Sequence, residues 1–185
     1  MNPMAFLNGF ANATVDAGAQ LHSHSRVKKW ERNGQHKLIT EEGSLTCDKV
    51  VVATNGYTDE SLHSSFANRM VPVLSNIIVT RKLTKNEIDL HNFKTFSPIA
   101  NTKNLLYYYR KLQDNRILFG TRGDFIGSDQ SNLDRSKIME KFLKDIFPNW
   151  SNVSIDYNWR GLIAMSQKLT PSIGKVENEE IYYGF

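Results

Sequence analysis

The sequence predicts a mixed α+β (mixed α/β) fold with two lobes, and three observations support this prediction. A punctuated amphipathic helix opens the 185-residue chain, β-rich segments joined by turn dipeptides follow it, and a second long helical pattern falls among later strands. The composition, 40% hydrophobic and 23% charged, is that of a globular protein. The formal net charge of +4 is scattered, without a basic run interleaved with aromatics, so we expect no nucleic-acid partner.

The single cysteine, Cys47, excludes an internal disulfide. No apolar segment approaches the roughly 20 residues of a membrane-spanning helix, and no basic region leads a hydrophobic run at the start. We therefore expect no membrane span and a reducing, cytoplasmic location.

The first element is a helix that Asn2 can cap, with Pro3 in its first turn and Gly18 after its end. Alternating residues then predict a three-stranded meander over residues 21–54, with its first hairpin at Asn33–Gly34. On the first of these strands His22 and His24 would share one face. No third metal ligand is near them, so we predict no metal site.

The last strand of the meander ends in Val50–Val52. Three consecutive β-branched residues favour a strand buried on both faces, and such strands commonly end at a ligand crevice. The Ala53-Thr54-Asn55-Gly56 turn that follows would let a ligand approach the backbone closely. The alternative is a buried strand and a turn without a ligand.

The later elements alternate in type. A long strand over 71–83 precedes a short helix that Thr84 and Glu87 begin as a capping box. Ser131 with Asp134 begins a longer helix that ends before Pro148. The remaining elements are a hairpin around Asp114–Asn115, an inner helix face of Ile138, Phe142, Leu143 and Ile146, a strand over 153–166, the turn LTPSIG and the strand IYYGF. Because an apolar strand is an unusual terminus, we expect both ends to be cut from a larger protein.

Several segments in this order resemble the family of flavin-dependent amine and amino-acid oxidases, which includes D-amino-acid, glycine and sarcosine oxidases. The branch typified by gamma-glutamylputrescine oxidase is the most similar. The segments are NPMAFLNGFANATVDAGAQLHSHSRVKKWE, KVVVATNGYT, RMVPVLSNIIVT, YYYRKLQDNRILFG, FPNW, WRGLIAMSQKLTPSIG and IYYGF.

The resemblance implies a two-lobed flavoprotein with FAD as its cofactor. Residues 1–57 would form part of a Rossmann-like FAD lobe, 68–165 an antiparallel-sheet substrate lobe, and 166–185 the return to the FAD lobe. The residues that it places near FAD are Val27, Ala53, Thr54, Asn55, Gly56, Tyr57, Gly161 and Gly174.

Two features of the family are missing from this sequence. No GxGxxG loop, which would grip the cofactor's pyrophosphate, occurs among the eleven glycines, and no glycine-rich segment follows IYYGF. We therefore expect an internal fragment whose partners are the missing N- and C-terminal parts of the same enzyme. Alone it would bind FAD weakly or not at all, and it would be inactive.

The resemblance also places three residues near the substrate. Relatives that oxidise amino acids carry an arginine two residues after the glycine of the WxG-type motif, where this chain has Ile163; a simple α-amino-acid substrate is therefore disfavoured. Arg160 lies on the opposite strand side from Ile163, so it is either a surface or lobe-bridging cation or a flavin or substrate contact. Alternation places Tyr108 with Arg110, which favours Tyr108 as a cavity-lining tyrosine over an ordinary half-buried aromatic.

The predicted activity is oxidation of a C–N bond in a small-molecule amine or amino-acid derivative, by hydride transfer to flavin. Hydride transfer from a neutral amine needs no acid–base pair, and we identify no catalytic residue in this chain. The alternative is a cofactor-free, non-catalytic fragment that acts only as a folded binding module.

Overall fold

A computed structural model of the chain describes residues 2–103, 106–124, 127–166 and 168–185. Gln167, which falls within the predicted segment WRGLIAMSQKLTPSIG, lies outside these ranges, as do Asn104, Leu105, Phe125 and Ile126 of the predicted substrate lobe. The chain divides into two compact units, one ending at Val50 and one running from Val51 to Phe185. The functional division into FAD lobe, substrate lobe and return segment stays a prediction.

The first unit contains helix α1 (Pro3–Asp16) and an antiparallel meander. Asn2 caps α1 as predicted, because its side-chain oxygen accepts the N–H groups of Met4 and Ala5 at 3.1 and 3.3 Å. The meander contains, in order, β1 (Lys29–Asn33), β2 (Gln35–Ile39) and β3 (Ser44–Cys47). The predicted hairpin is confirmed, with Gly34 in the left-handed region at φ 78°.

Two predictions for this region are wrong. His22 and His24 lie outside the strands, since β1 begins only at Lys29 and the backbone turns at His24 with φ 56°. The predicted third strand is two strands, because the chain bends at Asp48 and the valines enter a different sheet as β4 (Val50–Val52).

Strand β4 belongs to a three-stranded sheet of order β10-β11-β4, with β10 at Ile173–Lys175 and β11 at Ile181–Gly184. Within the described ranges β4 is an end strand, which pairs on one side only. Val50 is buried, but Val51 is 70% exposed. The expectation that this strand is buried on both faces is therefore wrong.

The second unit is built on a five-stranded antiparallel sheet of order β6-β7-β8-β5-β9. Its strands are β5 (Val71–Thr80), β6 (Ile99–Ala100), β7 (Tyr107–Lys111), β8 (Ile117–Asp124) and β9 (Ile155–Met165). Its register sets Ser75 between Arg122 of β8 and Gly161 of β9, and Tyr108 opposite Gly120. Alternation along the strands therefore places Tyr108, Ser75 and Arg122 on one face.

The opposite face of this sheet carries the core. Ile78 and Phe119 are fully buried there, with Met139 and Leu143 of α3 (Asp129–Ile146) packed in the same cluster. Helix α3 begins earlier than predicted, because the Ser128 hydroxyl accepts the N–H of Ser131 and caps it. The predicted inner face is wrong at two positions that are substantially exposed, Ile138 and Ile146.

The short helix α2 (Lys85–Leu90) has the predicted capping box between Thr84 and Glu87. Arg81 donates to both carboxylate oxygens of Glu87, at 2.6 and 3.0 Å. These bonds are the main cause that lowers the pKa of Glu87 to about 2, and the hydrogen bond from the N–H of Thr84 lowers it further. None of the helices that the structure describes is long and apolar enough to cross a membrane, and the expected cellular location stays a prediction.

Candidate functional site

A cavity of about 1540 Å³ opens on the sheet face opposite α3. That volume exceeds the roughly 300–1,000 Å³ of typical small-molecule sites, so the cavity has room for more than a small amine. One wall is the five-stranded sheet, and the others come from residues 65–71 and from the segment that runs into β10 and β11. The sheet residues that line it are Val71, Ser75, Tyr108, Arg122, Ile163, Ala164 and Met165.

Tyr108 lies on the cavity face, as its predicted alternation with Tyr107 and Tyr109 requires. Its hydroxyl is 3.0 Å from the Ser75 hydroxyl, and either group can donate. The ring covers Gly120, where an added Cβ would lie 2.2 Å from Tyr108 Cζ. Tyr107 and Tyr109 pack instead against Phe119 in the core. The glycine at position 120 therefore makes room for the ring, and two adjacent hydroxyls face the cavity.

Arg122 is the feature of this face that sequence reasoning missed. It is half-buried, lines the cavity, and is the register partner of Ser75. None of the side chains that the structure describes gives its guanidinium a hydrogen-bond or ion-pair partner. Its two-residue spacing from Gly120 places Arg122 on the same strand face as Gly120. That spacing could have indicated a cavity residue only if the packing of Tyr108 over Gly120 had been known.

Ile163 lines the same cavity from β9, where it forms part of an apolar wall. The edge of β9 beside it is held by residues 55–57, which we call the 55–57 turn. The N–H of Leu162 donates to Tyr57 Oη at 3.0 Å, and the N–H of Ala164 donates to Asn55 Oδ1 at 2.8 Å. The turn thus satisfies two backbone donors of an end strand.

Gly56 packs directly on the β9 backbone. An added Cβ would lie 2.9 Å from the backbone N and C of Ile163 and from the backbone C of Leu162. The sequence pattern predicts that the glycine in this turn lets a ligand approach the backbone closely. In the structure, close packing of Gly56 on β9 accounts for the glycine. The side chains of Asn55 and Tyr57 likewise accept hydrogen bonds from β9, although both residues are exposed, as are Ala53 and Thr54.

The remaining residues that were predicted to contact FAD lie in three places. Gly161 is on β9, where an added Cβ would lie 3.3 Å from Tyr57 Oη. Gly174 is on β10 beneath Tyr183, whose hydroxyl would lie 2.5 Å from an added Cβ. Val27 belongs to the first unit and is half-buried just before β1, not within a strand as predicted. Their contacts with a cofactor stay predictions.

Arg160 lies on the helix side of the sheet, as its alternation with Ile163 predicted. Its guanidinium donates to the backbone oxygen of Ser128 at 2.6 Å and to Asp129 Oδ1 at 3.2 Å, at the start of α3. It is absent from the described lining of the cavity. The structure therefore gives Arg160 a role in positioning α3 and places it away from Tyr108 and Ile163.

Comparisons of the sequence with known proteins agree on one family. The family model described as FAD dependent oxidoreductase matches residues 1–185. A probable oxidoreductase, OrdL, from Haemophilus influenzae is 34% identical over 187 residues, and the gamma-glutamylputrescine oxidoreductase of Escherichia coli is 27% identical over 183. Each alignment covers 99% of this chain and 42% of the relative, so the chain spans less than half the length of these proteins.

Solved structures share the fold. The chain aligns to L-proline dehydrogenase from P. horikoshii with a TM-score of 0.75 at 19% identity, covering 99% of this chain and 49% of that one. It aligns to glycine oxidase from Geobacillus kaustophilus with a TM-score of 0.69 at 18% identity, covering 94% and 45%. The predicted mixed fold with an antiparallel sheet is confirmed.

Proposed function

The chain belongs to the family of FAD-dependent oxidoreductases, and from that premise we propose that its protein oxidises a C–N bond of an amine or amino-acid derivative. The cavity on the five-stranded sheet would be the substrate side of the active site. The observation that carries this proposal is the cavity-facing Tyr108–Ser75 hydroxyl pair, in which Ser75 of β5 lies next to the apolar β9 wall that contains Ile163.

The residues of this chain fit part of an FAD site. The cavity exceeds what a small amine needs, which leaves room for a planar ring system beside the substrate. Ala53 and Thr54 are exposed at the end of β4, as are Asn55 and Tyr57 after them, so a dinucleotide can reach this turn. Asn55, Gly56 and Tyr57 would support the site indirectly, by fixing the edge of β9.

The cavity residues would act by binding and orientation. When bound, FAD supplies a two-electron acceptor for a hydride from the carbon next to the amine nitrogen. The hydroxyls of Tyr108 and Ser75 provide donors and acceptors for a polar substrate group, and their mutual bond fixes the orientation of both. The apolar β9 wall excludes water from the reacting carbon, and the imine product hydrolyses once it meets water.

The test is spectroscopic and uses the protein in the full form that its gene encodes. We expect visible flavin absorbance after purification with FAD, and its loss on anaerobic addition of an amine substrate. Tyr108→Phe should weaken substrate binding more than Tyr107→Phe, because Tyr107 packs in the core. A preparation that stays colourless in excess FAD would contradict the proposal and favour a cofactor-free binding module.

A further inference from the structure

The position of Arg122 in the cavity suits a cation that binds a ligand. It lies on the cavity face of β8, two residues from Gly120 and opposite Ser75, so its side chain extends beside the Tyr108–Ser75 pair. Along a strand two residues span roughly 6.6 Å, and neighbouring strands lie about 4.8 Å apart. A guanidinium at this position can therefore reach a group that also contacts the two hydroxyls.

The surroundings of Arg122 contain no described partner for its charge. Two other arginines of this unit have acceptors: Arg81 has Glu87 and Arg116 has Asp156, each at 2.6 Å. Arg122 is half-buried, and none of the described side chains supplies it with an acceptor. A partly desolvated cation is stabilised when an anion binds it, and a guanidinium offers a carboxylate two parallel donors.

Among the described residues that line the cavity, cationic side chains outnumber acidic ones, which favours an anionic ligand. The described lining has two acidic residues, Glu177, which is exposed, and Glu179, which is bound to His63 at 3.1 Å. It has four cationic residues, Arg69, Arg122, Lys168 and Lys175. Of these four Lys175 is paired with Glu180, and Arg69 and Lys168 are exposed. Among these four described residues, Arg122 is therefore the one that the five-stranded sheet contributes to the cavity.

The polarity of the sheet wall changes from β8 to β9. Ile163 and Met165 line the cavity on β9, two strands from Arg122 on β8, a lateral separation of about 10 Å. A ligand that contacts both ends therefore combines an anionic group with a chain of several methylenes.

We propose that Arg122 is the specificity residue of this site and binds the carboxylate of an amine whose carboxylate is separated from the reacting C–N bond by several carbons. The inference rests on the proposed function for the identity of the reacting group. It assigns substrate selection to β8, and Ile163 then contributes apolar contact to the intervening carbons.

The first experiment measures binding without turnover. Pentanoate, which carries a carboxylate and no amine, is titrated calorimetrically into the full-length protein, with pentan-1-ol as the uncharged probe. We expect Arg122→Gln to weaken pentanoate binding by about 10–100-fold and to leave pentan-1-ol unchanged. Lys137→Gln, which removes an exposed charge from α3 outside the described cavity lining, is the matched control and should change neither.

Three results would overturn the inference: no pentanoate binding by the unmodified protein, equal binding by Arg122→Gln, or an equal loss in Lys137→Gln. Arg122→Lys keeps the charge but not the two-donor fork, and it should bind pentanoate several-fold more weakly. If Arg122→Gln fails to fold, Arg122→Lys provides the test, and an unchanged affinity of Arg122→Lys for pentanoate contradicts the proposal.

A second experiment separates this inference from the proposed function. Flavin reduction is followed with 5-aminopentanoate and with pentylamine, and we expect the carboxylate to lower KM in the unmodified protein but not in Arg122→Gln. Equal KM values for both amines would refute the role of Arg122 and leave amine oxidation standing. Arg122-dependent pentanoate binding without flavin reduction by any amine would refute the oxidation and keep the anion site.

Discussion

Replacing Gly56 with alanine tests how the 55–57 turn meets β9. The added Cβ would lie 2.9 Å from three backbone atoms of Leu162 and Ile163, which a side-chain rotation cannot relieve. Overpacking of this kind costs about 1–3 kcal/mol. Displacing the turn also breaks the bonds from Leu162 and Ala164 to Tyr57 and Asn55, each contributing about 1 kcal/mol. We therefore expect Gly56→Ala to lower the free energy of unfolding by about 3–5 kcal/mol.

The assay is urea unfolding followed by tryptophan fluorescence, with Gly43→Ala as the control. A Cβ added at Gly43 would have no neighbouring atom within 4 Å, so this control reports only the smaller entropy of the unfolded chain. At a slope of about 2 kcal/mol per molar urea, the Gly56→Ala midpoint should fall by about 1.5–2.5 M. A Gly56→Ala midpoint equal to that of Gly43→Ala would show that the turn does not pack on β9 as described.

Other substitutions test separate parts of the structure. Tyr108→Phe removes the bond to Ser75 and should lower stability by about 1 kcal/mol in urea unfolding, an unchanged midpoint being the contrary result. Glu87→Gln should lower the melting temperature most above pH 4.5, and the difference should shrink as pH falls towards 2, because the pKa of Glu87 is depressed by Arg81; a pH-independent difference would contradict this. Arg160→Gln should lower the melting temperature without changing pentanoate affinity, and weaker pentanoate binding would instead place Arg160 at the cavity.

Local sequence signals predicted most of the secondary structure because they depend on neighbouring residues. The Asn2 cap, the Thr84–Glu87 capping box and the hairpin at Gly34 are all confirmed. Predictions failed where long-range pairing decides the outcome. Val51 follows the pattern of a buried strand, yet it is 70% exposed, because burial of a strand residue depends on which distant elements cover its face of the sheet.

The candidate site was only partly predictable for the same reason. The face of Tyr108 follows from alternation along one strand, and the structure confirms it. The partnership of Asn55 with Ala164 joins residues 109 positions apart, so no local pattern indicates it. Arg122 and Ser75 become neighbours only through the pairing of β5 with β8, which short segments do not specify.

Anaerobic titration of the FAD-loaded full-length protein with 5-aminopentanoate, read at the flavin absorbance band, tests the central claim most directly. Our account predicts that the band bleaches and that Tyr108→Phe shifts the half-maximal concentration upward. A flavin band that no amine bleaches, or an absence of bound flavin, would contradict the assignment of this cavity to amine oxidation.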